Sequence, residues 1–132
     1  MDTGAFKARA DVADVHHQTA LACFEETTSQ RLPFYVTNAT IWEAYTRLRY
    51  DLGYVEAAEL FPLVDTLGAT VVRVEEEDER VARDLLTRFA EHEFSFVDAL
   101  NFAVMKRLRI STAFTYDRRH YGVLGFIVIP VP

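Results

Sequence analysis

The chain has one cysteine among 132 residues, four prolines, five glycines, and no apolar run long enough to cross a bilayer. A lone cysteine excludes an internal disulfide framework and any zinc site built on several thiolates. Its neighbours Ala20, Leu21, Ala22 and Phe24 mark Cys23 as a small core residue. The opening stretch has neither the basic head nor the apolar centre of a signal peptide, so a cytoplasmic protein with no membrane partner is expected. Internal repeats, linkers and low-complexity segments are also missing. With half its residues hydrophobic, the chain is not a disordered segment, and residues 1–132 are expected to form one domain.

Bases are scarce as well: 14 Lys and Arg stand against 20 Asp and Glu, a formal charge of −6. That balance argues at first against nucleic acid, whose phosphates attract basic surfaces. Yet five acids fall in one run, Glu75-Glu76-Glu77-Asp78-Glu79, ahead of the helical stretch Arg80 to Ala90. An acidic first turn complements a helix dipole, so the run reads as a solvated helix start. Without it, and without the four acids discussed next, 11 acids face 14 bases. The rest of the chain is mildly basic.

Periodicity predicts helices over Asp11 to Gln30 with Asp14 as N-cap, over Ala39 to Leu52 closing at Gly53, over Val55 to Leu67 with Pro62 kinking or shortening it, and over Phe96 to Leu108. Strands are expected at Phe34 to Thr37, Thr70 to Val74, Ile110 to Tyr116 and Gly125 to Ile129. Helices alternating with strands favour a parallel sheet covered on both faces.

Four acids, Asp2, Glu43, Asp98 and Asp117, sit where an apolar strand gives way to a turn or in the first turns of an apolar helix. In such sheets these junctions share one rim, where the fold places its sites. Each has an ordinary alternative. Asp98 follows Ser95 by three residues and fits a capping box, and Glu43 stands likewise after Thr40 or one turn from Arg47. Asp117 suits a turn bonded to its own backbone, and Asp2 a terminal turn. Jointly they suggest more, because carboxylates about 5 Å apart repel by roughly 3 kcal/mol at an effective dielectric near 20. Oxygen-only ligands suit Mg²⁺ or Mn²⁺ rather than zinc. His16, His17, His92 and His120 match no zinc spacing and read as solvated positions.

Such a pocket suits hydrolysis of a phosphodiester. Arg47, Arg49, Lys106, Arg107, Arg109, Arg118 and Arg119 follow the acids closely. The Lys106 to Arg109 group fits a basic helix C-terminus, whereas Arg118, beside Asp117, is equally suited to a phosphate contact. Thr3 and Thr115 are placed to orient a carboxylate or a water.

Asp2-Thr3-Gly4-Ala5-Phe6, Val36-Thr37 with the helix bearing Glu43, Phe94-Ser95-Phe96-Val97-Asp98-Ala99 and Phe114-Thr115-Tyr116-Asp117-Arg118 resemble, in order, the four acid motifs of the PIN domain, and within it the VapC-type toxins. The resemblance covers nearly the whole chain. It implies an α/β fold, a three-layer α/β/α sandwich around a central parallel sheet, and a Mg²⁺- or Mn²⁺-dependent endoribonuclease with Asp2, Glu43, Asp98 and Asp117 as metal-binding catalytic carboxylates. It also implies an RNA substrate, a cognate antitoxin and a homodimer, with the helices between Ala39 and Leu67 as a candidate dimer face. Two alternatives share the likeness: an RNA-processing PIN nuclease with no antitoxin, and an inactive antitoxin-binding module. One departure stands out. The family places a hydrophobic strand before the first acid, here preceded only by Met1, so the first central strand is expected to be missing and Asp2 to hang from an unanchored terminus. A functional start upstream of Met1 is the corresponding expectation.

Overall fold

In the computed structural model, which describes residues 1–132, the elements run α1 (Thr3–Ala10), α2 (His17–Ser29), β1 (Tyr35–Thr37), α3 (Asn38–Asp51), α4 (Tyr54–Ala58), α5 (Leu60–Thr66), β2 (Thr70–Val72), α6 (Glu76–Arg88), α7 (Phe96–Arg107), β3 (Thr112–Phe114), α8 (Arg118–Val123) and β4 (Ile127–Ile129). The four expected strands are present and shorter than expected. Two helices, α1 and α8, were not expected. Both are short and start on an aspartate cap, Asp2 bonding Gly4 N and Asp117 bonding His120 N, where a turn was the simpler reading.

Local chemistry explains the other shifts. The helix expected from Asp11 begins at His17, because Asp11 and Asp14 each accept the N–H two residues on, from Ala13 at 3.0 Å and from His16 at 2.8 Å, and so hold turns instead. Thr37, not Thr40, caps α3 by accepting Thr40 N. Gly53, with φ at 107°, carries the chain from α3 into α4 through a conformation that favours glycine. Pro62 lies in the first turn of α5, where a missing N–H costs little, and the expected single helix is two.

The strands form two parallel pairs, β1 with β2 and β3 with β4, and not one sheet. The first two residues span the gap. The Met1 ammonium donates to the Tyr35 carbonyl at 2.8 Å and Asp2 N donates to the Phe114 carbonyl at 3.1 Å. Asp2 is therefore anchored, contrary to the expectation of a free end.

Helices cover both faces of these strands. In β3, Ala113 packs with Leu85, Phe102 and Tyr121, while the adjacent Phe114 packs with Ala5, Cys23 and Phe24. Successive strand residues point to opposite faces, so helical layers flank β3 on each side. Cys23 is buried there as expected. A third cluster joins Phe6, Val36, Leu48 and Leu60. Each fully buried Phe or Leu contributes about 1.5–3 kcal/mol.

One acid of the Glu75 to Glu79 run is not solvated. Asp78, only 2% exposed, bonds back to Glu75 N and receives Arg107 Nε and Nη2 at 2.9 and 2.8 Å. This bidentate pair ties α6 to the C-terminal end of α7. Arg107 is thereby committed to structure, which corrects its place among bases available to a phosphate.

Candidate metal centre

Three of the four acids meet at helix starts. Asp2 caps α1, its Oδ1 accepting Gly4 N at 2.7 Å, while its Oδ2 accepts the Thr115 hydroxyl. Thr115 is fully buried and its Oγ1 also accepts Asp117 N at 3.0 Å, so one threonine links the first acid to the last. Asp98 forms the expected capping box with Ser95, and Asp117 accepts His120 N at 3.0 Å. The capping alternatives for Asp98 and Asp117 are thus real contacts. They leave carboxylate oxygens facing one another, since Asp98, Asp117 and His120 each offer a ligand atom within 4.8 Å of the others.

Glu43 stands further out, on the second turn of α3. Its Oε2 accepts the hydroxyl of Thr3, the residue beside Asp2, at 3.1 Å. The suggested Arg47 pair with Glu43 is not formed. All four acids are half-buried.

Electrostatics mark the cluster as strained without a cation. Burial raises the carboxyl of Asp2 above its ordinary range, and the Asp117 charge pushes the same way. Burial likewise raises Asp98, with the Asp2 and Asp117 charges adding to it. Burial first, then the same three acids, pushes the Tyr121 phenol well up. Crowded, oxygen-rich and desolvated, the donor set fits a hard divalent cation. Because Asp2 and Asp98 must lose protons before ligating, Mn²⁺ affinity should rise as pH climbs above the ordinary carboxylate range. Calorimetric titration across that interval checks this; a flat affinity would contradict it. The sign for stability is opposite: the folded state holds these protons more tightly than the unfolded one, so metal-free stability falls as pH rises from the ordinary value through the raised one.

Sequence reasoning missed His120 and the floor of the site. His120 was read as solvated, but its ring is mostly buried edge-on to Phe94, with Nδ1 2.6 Å from Asp117 Oδ2 yet off hydrogen-bond direction. Its spacing of three from Asp117 was the available signal. Beneath the acids, Thr37 donates to Asn101 Oδ1 at 2.7 Å, and Asn101 Nδ2 donates to Thr40 at 2.9 Å and to the Tyr121 hydroxyl at 3.4 Å. Asn101 lies three residues after Asp98, on the same side of α7, so this network ties the Asp98 helix to α3 and α8. An isolated asparagine between Leu100 and Phe102 in the most apolar helix was its trace in the sequence.

Among the expected bases, Arg118 donates to the Pro130 carbonyl. Arg47, Arg49, Lys106, Arg109 and Arg119 make no ion pair.

The PIN domain family pattern matches residues 2–124. Two curated relatives are each 32% identical over 133 residues, covering 98% of this chain and 95% of their own: "23S rRNA-specific endonuclease VapC20" of Mycobacterium tuberculosis, strain CDC 1551 / Oshkosh and strain ATCC 25618 / H37Rv. A crystal structure of Mycobacterium tuberculosis VapC20, described as a sarcin–ricin loop cleaving toxin, superposes with a TM-score of 0.83 at 28% identity, over 96% of this chain and 94% of that one.

Proposed function

Because the chain belongs to the PIN domain family, we propose that it is a metal-dependent endoribonuclease of the toxin type that cuts 23S ribosomal RNA at the sarcin–ricin loop. The observation that carries the reading is the convergence of Asp2, Asp98 and Asp117 at the starts of three helices, two of them holding raised proton affinities.

Asp2, Asp98 and Asp117 would hold a Mg²⁺ or Mn²⁺ ion, with Glu43 reaching it directly or through a water that Thr3 helps to orient. When bound, the ion supplies a water of lowered pKa and neutralises charge on the reacting phosphate. The chain's own contribution is placement. Thr115 fixes Asp2 and Asp117 relative to one another, and the Ser95 box fixes Asp98. Helix N-termini pointing at the rim favour the anionic substrate. Arg47, Arg49 and Arg119, free of acidic partners, are suited to the RNA backbone, and Arg118 joins them if it leaves Pro130.

A VapC-type protein acts in the cytoplasm and is held inactive by a cognate antitoxin, and both are part of this reading. So is a homodimer, supported by Trp42, Tyr54, Val55 and Phe61, all at least half exposed on α3 to α5. Phe61→Glu should convert dimer to monomer in light scattering; a monomeric wild-type protein would remove that part of the proposal.

The function is tested by incubating the purified protein with intact ribosomes and with Mg²⁺ or Mn²⁺, then mapping 23S ends by primer extension. A single cut in the sarcin–ricin loop, abolished by chelator, is expected. Chelator-resistant cutting, or none at all from protein shown to be folded, would overturn the reading.

A further inference from the structure

His120 Nδ1 is buried and has no hydrogen-bond partner. Asp117 Oδ2 lies 2.6 Å from it, off the line along which a ring N–H would donate. The helix cap uses the other oxygen, Oδ1, which accepts His120 N at 3.0 Å. Asp117 and His120 thus hold a carboxylate oxygen and an imidazole nitrogen side by side. Lone pairs that close repel, and a cation bound to both resolves the repulsion.

The chain builds this pair locally and braces it from the neighbouring acid motif. Asp117 caps α8 and His120 is its third residue, a spacing that sets both side chains on one face of the turn. The imidazole is mostly buried and meets the Phe94 ring edge-on, with centroids 5.0 Å apart. Phe94 directly precedes Ser95, which closes the capping box of Asp98. A ring nitrogen of His120 and carboxylate oxygens of Asp98 and Asp117 all lie within 4.8 Å of one another. Ligands of one small divalent ion stand about 3 Å apart at right angles and about 4 Å apart when opposed. The trio is close to the span of a single ion. Packing alone does not call for a nitrogen here, since Phe89, Phe94 and Phe102 fill the same region with carbon.

The donor set also bears on which ion is held. Mg²⁺ prefers oxygen and water, whereas first-row transition ions accept imidazole readily. We propose that His120 is a direct ligand of the cation held by Asp98 and Asp117, its ring nitrogen making a mixed nitrogen–oxygen set that takes Mn²⁺ in preference to Mg²⁺. This rests on the reading of the acids as a metal centre, and is independent of which RNA is cut.

The test is pulsed electron paramagnetic resonance on the full chain loaded with Mn²⁺, without RNA, beside calorimetric titration with Mn²⁺ and with Mg²⁺. The wild-type protein should show the ¹⁴N coupling of a directly bound imidazole. His92→Phe should keep it, because His92 lies a ring-to-ring distance of 6.4 Å from His120 and belongs to no acid cluster. His120→Phe, which preserves the packing on Phe94, should lose the coupling and weaken Mn²⁺ binding by about tenfold, with Mg²⁺ binding changed by less than about threefold. His120→Gln should lose the coupling as well, and serves if the phenylalanine variant does not fold. Tight Mn²⁺ binding by the wild-type protein with no ¹⁴N coupling, a coupling that survives in the His120 variants, or an equal loss of Mn²⁺ and Mg²⁺ affinity would overturn this role and leave the acid centre standing. Failure of the wild-type protein to bind Mn²⁺ at all would overturn both.

Discussion

Replacing Asp98 with asparagine should reduce RNA cleavage by about a thousandfold while making the metal-free protein more stable. Asparagine is nearly the same shape, and its Oδ1 can still accept the Ser95 N–H that closes the capping box. What it removes is one negative charge from a half-buried site where Asp2 and Asp117 already repel it. In the resting protein that charge is a liability, because burial and its neighbours raise the proton affinity of Asp98 above its unfolded value. At neutral pH the substitution should therefore raise Tm by a few degrees, despite the small loss of a favourable helix-start charge of about 0.3–1 kcal/mol. In catalysis the charge is needed to hold the cation, and about 4 kcal/mol of lost stabilisation corresponds to that thousandfold. Thermal unfolding and single-turnover cleavage measured on the same preparation check both signs. A variant that is less stable as well as inactive would point to a structural role alone.

Asn101→Ala should be the most damaging change outside the rim. Asn101 is buried and satisfies the hydroxyls of Thr37, Thr40 and Tyr121, of which Thr40 and Tyr121 are almost wholly enclosed. Alanine leaves those groups with fewer partners and opens space among them, for a cost of about 2–4 kcal/mol. A fall in the urea midpoint with unchanged slope would show that the native state was weakened without altering its compactness. The folded fraction should also cleave more slowly, since α3, α7 and α8 carry Glu43, Asp98 and Asp117 and share this one junction. Full activity per folded molecule would confine Asn101 to stability.

Three of the four acids of the candidate site were legible because they sit at helix starts, which leave a local signature. Ser95 followed three residues later by Asp98 is a capping box whatever else the carboxylate does, and the structure contains it. Capping does not take Asp98 and Asp117 out of the cluster, since each still offers a ligand atom within 4.8 Å of the other and of His120. Thr115 was legible as a rim neighbour. Its bridging of Asp2 and Asp117 was not, because that depends on the approach of residues over a hundred positions apart. Helices α1 and α8 escaped for a different reason: eight and six residues are too few to set a periodic stripe, and packing of Phe6 and Tyr121 decides them. The expectation that Asp2 hangs from an unanchored terminus fails, because Met1 and Asp2 bond to both half-sheets and hold the first acid at the rim.

The central claim, that these carboxylates form a metal centre, is tested most directly by anomalous diffraction from crystals of the protein soaked in Mn²⁺. A peak within coordination distance of Asp2, Asp98 and Asp117, absent from the Asp98→Asn protein, is the result this account predicts. An empty rim at saturating Mn²⁺, or a peak bound elsewhere on the molecule with cleavage intact, would contradict it.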